Sequence, residues 1–260
     1  MSAPLNASPL LRLGVRAAAK RRLFCMPYAG GGVAPYRLWF KSLPDDIEVH
    51  AAQLPGRETR LREMPLSSIM SMVETLLPAI EAASDLPYAI FGHSMGALIA
   101  YELTAALERR GMRSPERLFV SARRPPDEPD TWSPIHELPE PAFLDELQTR
   151  YGAIPAPVLA EPELLELLLP VVRADIRAVE TYWPSADIPT KVRCPVSVYG
   201  GDADTHPRPA QLPLWHRVAA SPVRVRLFAG DHFYLNAQRE PLTADIAAQW
   251  PPDVVVAQSR

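Results

Sequence analysis

The 260-residue chain reads as an α/β fold, with a mostly parallel central sheet flanked by helices and a helical insertion in its second half. Three observations predict it. Six short apolar runs alternate with longer segments of helical periodicity. Most of the runs are hydrophobic nearly throughout, as strands covered on both faces must be. One stretch, from Arg124 to Pro189, carries no strand-like run and is dense in proline.

The first five runs, Arg22–Met26, Ile47–Ala52, Tyr88–Phe91, Arg117–Ser121 and Val196–Tyr199, are expected to be buried parallel strands. The sixth, Val223–Phe228, alternates in part and suits a strand nearer an edge. Ser67 to Ala83 places Ile69, Met72, Val73, Leu76, Leu77 and Ile80 at helical spacing, with Pro78 as a kink. Gly96 to Arg110 is an Ala/Leu-rich helix stopped by Gly111. Shorter helices are expected over Trp215–Ala220 and Ala244–Trp250.

Proline is the compositional oddity: 30 residues, more than twice the usual share of about 5%. Twelve of them fall between Pro125 and Pro189. Two helices fit that stretch, Glu140–Tyr151 and Glu163 to about Tyr182, the second bent at Pro170. The chain is therefore expected to be a single domain, 1–260, with a helical insertion at 124–190 and an N-terminal tail at 1–20. Proline should break the insertion into short rigid pieces, more mobile than the sheet.

Composition excludes several classes. A net charge of −3 argues against a nucleic-acid-binding domain. No apolar run approaches the ~20 residues that span a bilayer, and the N-terminal arginines follow its apolar patch, the wrong order for a secretory signal. Cys25 and Cys194 both lie in apolar strand-like runs, which suits buried thiols and a cytoplasmic protein. No cysteine or histidine spacing suggests a metal.

The chemistry begins at Gly92-His-Ser-Met-Gly96. It follows the strand-like Tyr88–Phe91 and precedes a helix, the context that a G-x-S-x-G nucleophile elbow requires. Ser94 is the expected nucleophile. In such α/β-hydrolase sheets an acid and then a histidine follow on later loops. Gly200-Gly-Asp-Ala-Asp204 and Ala229-Gly-Asp-His232 both leave the carboxyl ends of expected strands, the edge that carries sites in parallel sheets. His232 fits the base. The other histidines fit less well: His50 lies within a strand, His93 within the elbow, His136 in the insertion, His216 in a short helix, and His206 comes early for the expected order. For the acid, Asp204 is favoured over Asp202, which would cap the turn, and Asp231 is read as a turn residue. The oxyanion donors are expected to be the N–H groups of Met95, after the nucleophile, and of Ala29, in the loop Pro27-Tyr-Ala-Gly-Gly-Gly32 after the first strand. That glycine loop lacks the Lys-Ser/Thr of a phosphate-binding loop.

Together these segments, with Gln53-Leu-Pro-Gly-Arg-Glu58 and Gly230-Asp-His-Phe233, resemble the type II (editing) thioesterases of polyketide and non-ribosomal peptide assembly lines. The resemblance runs from about residue 22 to 250. It implies an α/β-hydrolase fold and a stand-alone serine thioesterase. Such an enzyme would release acyl groups from the phosphopantetheine arm of acyl or peptidyl carrier proteins, clearing stalled or mis-primed chains. It also implies that the insertion is a mobile lid and that the triad acid is Asp204. No cofactor, metal, nucleic acid or membrane partner is expected, and the protein should be monomeric. The Arg57-Glu58 pair reads as an internal salt bridge holding its loop, or else as carrier-facing surface. Arg21-Arg22, Arg60 with Arg62, Arg109-Arg110 and Arg123-Arg124 are candidates for a basic carrier-docking patch. Two other readings share these motifs: an esterase or acyltransferase acting on a small-molecule ester, and a non-catalytic binding protein on the same fold.

Overall fold

A computed structural model describes residues 8–128, 131–152, 161–184 and 191–250. The rest of the expected N-terminal tail and insertion lies outside the described residues, with Pro129, Pro155, Pro157 and Pro189. The strands are β1 (Leu10–Leu13), β2 (Arg21–Met26), β3 (Ile47–Ala52), β4 (Tyr88–His93), β5 (Arg117–Ser121), β6 (Val196–Gly201) and β7 (Arg224–Phe228). They form one seven-stranded sheet in the order β1-β3-β2-β4-β5-β6-β7. Every neighbouring pair is parallel except β1 with β3.

The period of two in each strand divides its side chains between two cores. Phe24, Met26, Ile90, Leu118, Val120, Val196 and Val198 face one side, against α2 (Ile69–Ala82) and α3 (Met95–Arg109). Leu23, Cys25, Ala89, Phe91, Phe119 and Tyr199 face the other, against α1 (Trp39–Ser42) and the C-terminal helices. Burial on both faces is why these strands lack polar alternation. α3 is buried from Met95 to Glu108, which explains its small, apolar, Ala-rich sequence. It ends as expected, with Gly111 at φ +66. Both cysteines are buried and free.

Between β5 and β6 lie α4 (Glu140–Tyr151) and α5 (Pro162–Glu180), and no strand occurs there among the described residues. α4 has the expected bounds and stops at Gly152 in the left-handed conformation. α5 runs continuously through Pro170, which is exposed. Its hydrophobic stripe packs with α4 into a third core of Ile135, Phe143, Leu147, Leu169 and Ile176.

Three expectations change. Residues 8–20 are not all tail, because Leu10–Leu13 pairs antiparallel with β3 and caps that edge of the sheet. The strand has four residues, with Leu11 and Arg12 outward, and is too short to stand out as a strand. The helix expected at Trp215–Ala220 is instead a 3₁₀ helix over Pro209–Val218, with Pro213 inside it. Ala220 N–H leaves it to bond Val192 O at 2.9 Å. The last helix, α6 (Arg239–Gln249), starts before Ala244 because Pro241 lies in its first turn, where a missing N–H costs nothing. The partly alternating sixth run is the edge strand β7.

The strand order reverses around β2, which has β3 on one side and β4 on the other. Ligand sites in open parallel sheets sit at such a switch point, beyond the carboxyl ends of the strands. Ala29 follows β2, Ser94 follows β4, Asp204 follows β6 and His232 follows β7.

Candidate active site

β4 turns directly into α3 through Ser94, at φ 54 and ψ −115. No ordinary residue adopts this backbone without support. The flanking glycines make the turn possible. A Cβ on Gly92 would lie 2.7 Å from Ala97 N and closer still to the Gly96 carbonyl oxygen. One on Gly96 would lie 2.7 Å from the Met26 carbonyl carbon at the end of β2. The spacing G-x-S-x-G is thus a packing requirement: strand, helix and neighbouring strand meet at two points where only hydrogen fits.

Ser94, His232 and Asp204 come together. His232 Nε2 lies 3.0 Å from Ser94 Oγ, and His232 Nδ1 lies 3.0 Å from Asp204 Oδ2. A carboxylate can only accept, so Nδ1 carries the hydrogen and Nε2 is left to accept from the serine hydroxyl. Asp204 and His232 are 5% and 6% exposed, so water does not compete for their bond. Ser94 is less shielded. Asp204 also accepts the His206 backbone N–H at 2.9 Å on its other oxygen.

The rival carboxylates do other work. Asp202 Oδ1 accepts the Gly230 N–H at 3.0 Å and ties the acid loop to the histidine loop. Asp231 Oδ1 accepts the Phe233 N–H at 2.9 Å within its own turn. The other histidines lie elsewhere or serve as walls. His93 is fully buried, with Nδ1 2.8 Å from Ser121 Oγ, which lies 2.6 Å from Tyr234 Oη. Burial, and then the neighbouring His232, holds His93 well below the ordinary histidine range. His206 stacks on Trp132 at 3.8 Å between ring centroids. His50 lies 2.7 Å from Glu48, His136 lies 2.6 Å from Glu180, and His216 contacts the Pro213 carbonyl.

Ala29 and Ser94 line one narrow cavity with Tyr28, Leu147, Tyr151, Val172, Ile176, His232 and others. Its volume is about 30 Å³, enough for about two or three water molecules. The insertion helices α4 and α5 therefore form much of its wall. Met95 is the first residue of α3, so its N–H is one of the four amides with no acceptor inside the helix. A larger cavity of about 280 Å³ adjoins this one, and Arg123 and Val179 border both.

Arg57 and Glu58 do not pair with each other. Arg57 makes two bonds to Asp175 on α5, at 2.8 and 2.9 Å, and a third to Gly31 O at 2.9 Å. Glu58 Oε1 accepts the Val33 and Ala34 N–H groups at 3.1 and 3.3 Å. Adjacent side chains point apart here because Glu58 sits at φ 50, where the chain turns. Asp175 was not singled out in the sequence. The available signal was a charge among the apolar positions Val171, Val172, Ile176 and Val179 of one helix face. Among the arginines expected to form a docking patch, Arg21, Arg60 and Arg124 are buried, and Arg21 and Arg60 bind Asp46 and Glu63. Arg62, Arg109 and Arg110 are exposed.

Among the described residues no cluster of metal-ligating side chains occurs, and no helix is long and apolar enough to cross a membrane.

The sequence model of the Thioesterase domain family matches residues 21–250. The gramicidin S biosynthesis protein GrsT of Aneurinibacillus migulanus is 38% identical over 221 residues, covering 85% of each chain. Thioesterase PikA5 of Streptomyces venezuelae is 36% identical over 246 residues, 91% of this chain and 85% of that one. Among solved structures, the type II thioesterase BorB from the borrelidin biosynthetic cluster superposes with a TM-score of 0.83 at 35% identity, covering 92% of this chain and 96% of that one. The matched span contains the elbow, the acid loop and the histidine loop, and the chain belongs to the thioesterase family, on the α/β-hydrolase fold.

Proposed function

We propose that this thioesterase hydrolyses acyl groups from the phosphopantetheine arm of acyl or peptidyl carrier proteins. It would thereby clear stalled or aberrant chains in polyketide or non-ribosomal peptide synthesis. The observation that carries the reading is the pair of 3.0 Å contacts joining Ser94, His232 and Asp204, in a chain similar to thioesterases of such pathways.

Ser94 Oγ attacks the thioester carbonyl carbon as its proton passes to His232 Nε2. Asp204 keeps the imidazole in the accepting tautomer and stabilises the imidazolium that forms. The carbonyl oxygen becomes an oxyanion, bound by the N–H groups of Ala29 and Met95 and favoured by the N-terminal end of α3. The C–S bond then breaks and the sulfur takes the proton from His232. Thiolates leave more readily than amines, so this protonation matters less than in amide cleavage. Water next attacks the acyl-serine and gives its proton to His232. Collapse returns that proton to Ser94 and frees the carboxylic acid.

Matched acyl groups on a carrier protein, on free pantetheine and on an oxygen ester test the substrate class. The carrier thioester is expected to give the highest kcat/KM, by about tenfold or more, a difference worth roughly 1.4 kcal/mol of transition-state binding. A faster oxygen ester, or transfer of the acyl group to an added alcohol in place of hydrolysis, would point to the esterase or acyltransferase alternative.

The two aspartates of the acid loop should separate cleanly. Asp204→Asn presents the wrong partner to His232 Nδ1 and is expected to lower kcat by about 10⁴-fold. Asp202→Asn should leave kcat nearly unchanged and cost less than about 1 kcal/mol of stability, because the amide oxygen still accepts the Gly230 N–H. Steady-state kinetics with thermal melts on both variants would reverse the assignment if Asp202→Asn were the crippled one.

A further inference from the structure

The Arg57–Asp175 pair takes no part in the steps above. Its side chains are 4% and 0% exposed, and they join the loop after β3 to the insertion helix α5. Net stabilisation is a weak reason for such a pair, because apolar groups of similar volume often serve as well. Its contacts suggest a geometric role.

Tyr28 to Gly31 form a four-residue turn. Gly31 N–H donates to Tyr28 O at 2.9 Å, and Gly30 occupies the third position at φ +74, as in a type II turn. The peptide joining Tyr28 to Ala29 is planar and trans, so its carbonyl and its N–H point in opposite directions. Tying Tyr28 O into the turn therefore directs the Ala29 N–H out of it. The turn type depends on the orientation of the next peptide, Ala29–Gly30. Its N–H is taken by Asp175 Oδ2 at 2.8 Å. Two peptide units further on, Gly31 O accepts from Arg57 at 2.9 Å. One ion pair thus holds the first and third peptide units after Ala29, and the turn bond from Gly31 N–H to Tyr28 O holds the unit between them.

Asp175 lies on the face of α5 that also presents Val172, Ile176 and Val179 to the cavity over Ser94. Val172 is in direct contact with the loop, since a Cβ on Gly30 would lie 2.9 Å from its Cγ2.

We propose that Arg57 and Asp175 are positioning residues for the oxyanion site. They hold Gly30 and Gly31 so that the Ala29 N–H keeps the direction needed to bind the developing negative charge. Because Asp175 belongs to α5, the loop is held only while that helix is seated. The helix that walls the acyl cavity and the loop that binds the oxyanion act as one unit. This rests on the roles given above to Ser94 and Ala29.

The test is the double variant Arg57→Met/Asp175→Leu, which removes both charges together, with Arg57→Lys beside it. Removing a single oxyanion donor costs about 10²–10³ in kcat, so a misdirected one is expected to cost about 10- to 100-fold. KM should change less than about threefold, because the oxyanion contact that is lost is made in the transition state. Arg57→Lys keeps the charge but not the fork that reaches both oxygens and Gly31 O, and its loss in kcat should be smaller. Wild-type kcat in the double variant, or a loss confined to KM, would overturn the proposal. If the double variant does not fold, wild-type kcat in Arg57→Lys does the same. Ser94→Ala in the same assay separates the two levels. If it still hydrolyses the thioester, the nucleophile is misassigned; if it is inactive while the double variant is fully active, only the positioning role fails.

Discussion

Ser94→Ala is expected to lower kcat for acyl-carrier hydrolysis by about 10⁴-fold or more while leaving the fold intact. The serine hydroxyl is the atom that forms the acyl bond, and no neighbouring group can replace it. His93 is buried, neutral and hydrogen-bonded to Ser121. The change should cost little stability. Ser94 Oγ bonds His232, and alanine keeps a Cβ in the same strained backbone. Intact-protein mass after brief exposure to substrate gives the direct measurement. Wild type should carry the acyl mass and the variant should not. Hydrolysis by the variant within about tenfold of wild type would remove Ser94 from the mechanism, since that is only about 1.4 kcal/mol of barrier.

The second large effect is on the fold. Gly92→Ala should cost about 3 kcal/mol or more, beyond the usual range for overpacking, because the atoms it would meet are backbone and cannot rotate away. Its Cβ would lie within 2.7 Å of Ala97 N, in the first turn of α3. Relief would require pulling α3 off β4, and α3 is buried along nearly its whole length. The expected outcome is a large fall in denaturation midpoint, or no soluble protein, with little activity in any folded fraction. A midpoint within about 1 kcal/mol of wild type would mean that the elbow has slack, contrary to the dense packing of protein interiors.

Much of this protein was legible in its sequence because two signals are local. Runs buried on both faces must be apolar throughout, so Arg22–Met26, Tyr88–Phe91 and Val196–Tyr199 stand out as strands. The elbow requires glycine at two fixed offsets from a serine, and β4 and α3 flank it as expected. Ser94 and His232 follow from that grammar. Loop pattern and resemblance favour Asp204 over Asp202. Only the folded loops separate them by partner: His232 for one, the Gly230 amide for the other.

Long-range pairing was not legible. β1 has four residues and finds its register against β3 only when the sheet exists. Glu58 bonds Val33 and Ala34, about 25 residues back, and Arg57 bonds Asp175, 118 residues on. Adjacent opposite charges suggest a pair in sequence, but backbone direction decides where each side chain points. The sequence alone determined the α/β sheet, the elbow, and the order of nucleophile, acid and base, because steric and burial rules act residue by residue. The tertiary structure decided which carboxylate faces His232, how little room remains over Ser94, and what holds the glycine loop. Those depend on segments far apart in the chain meeting at one edge of the sheet.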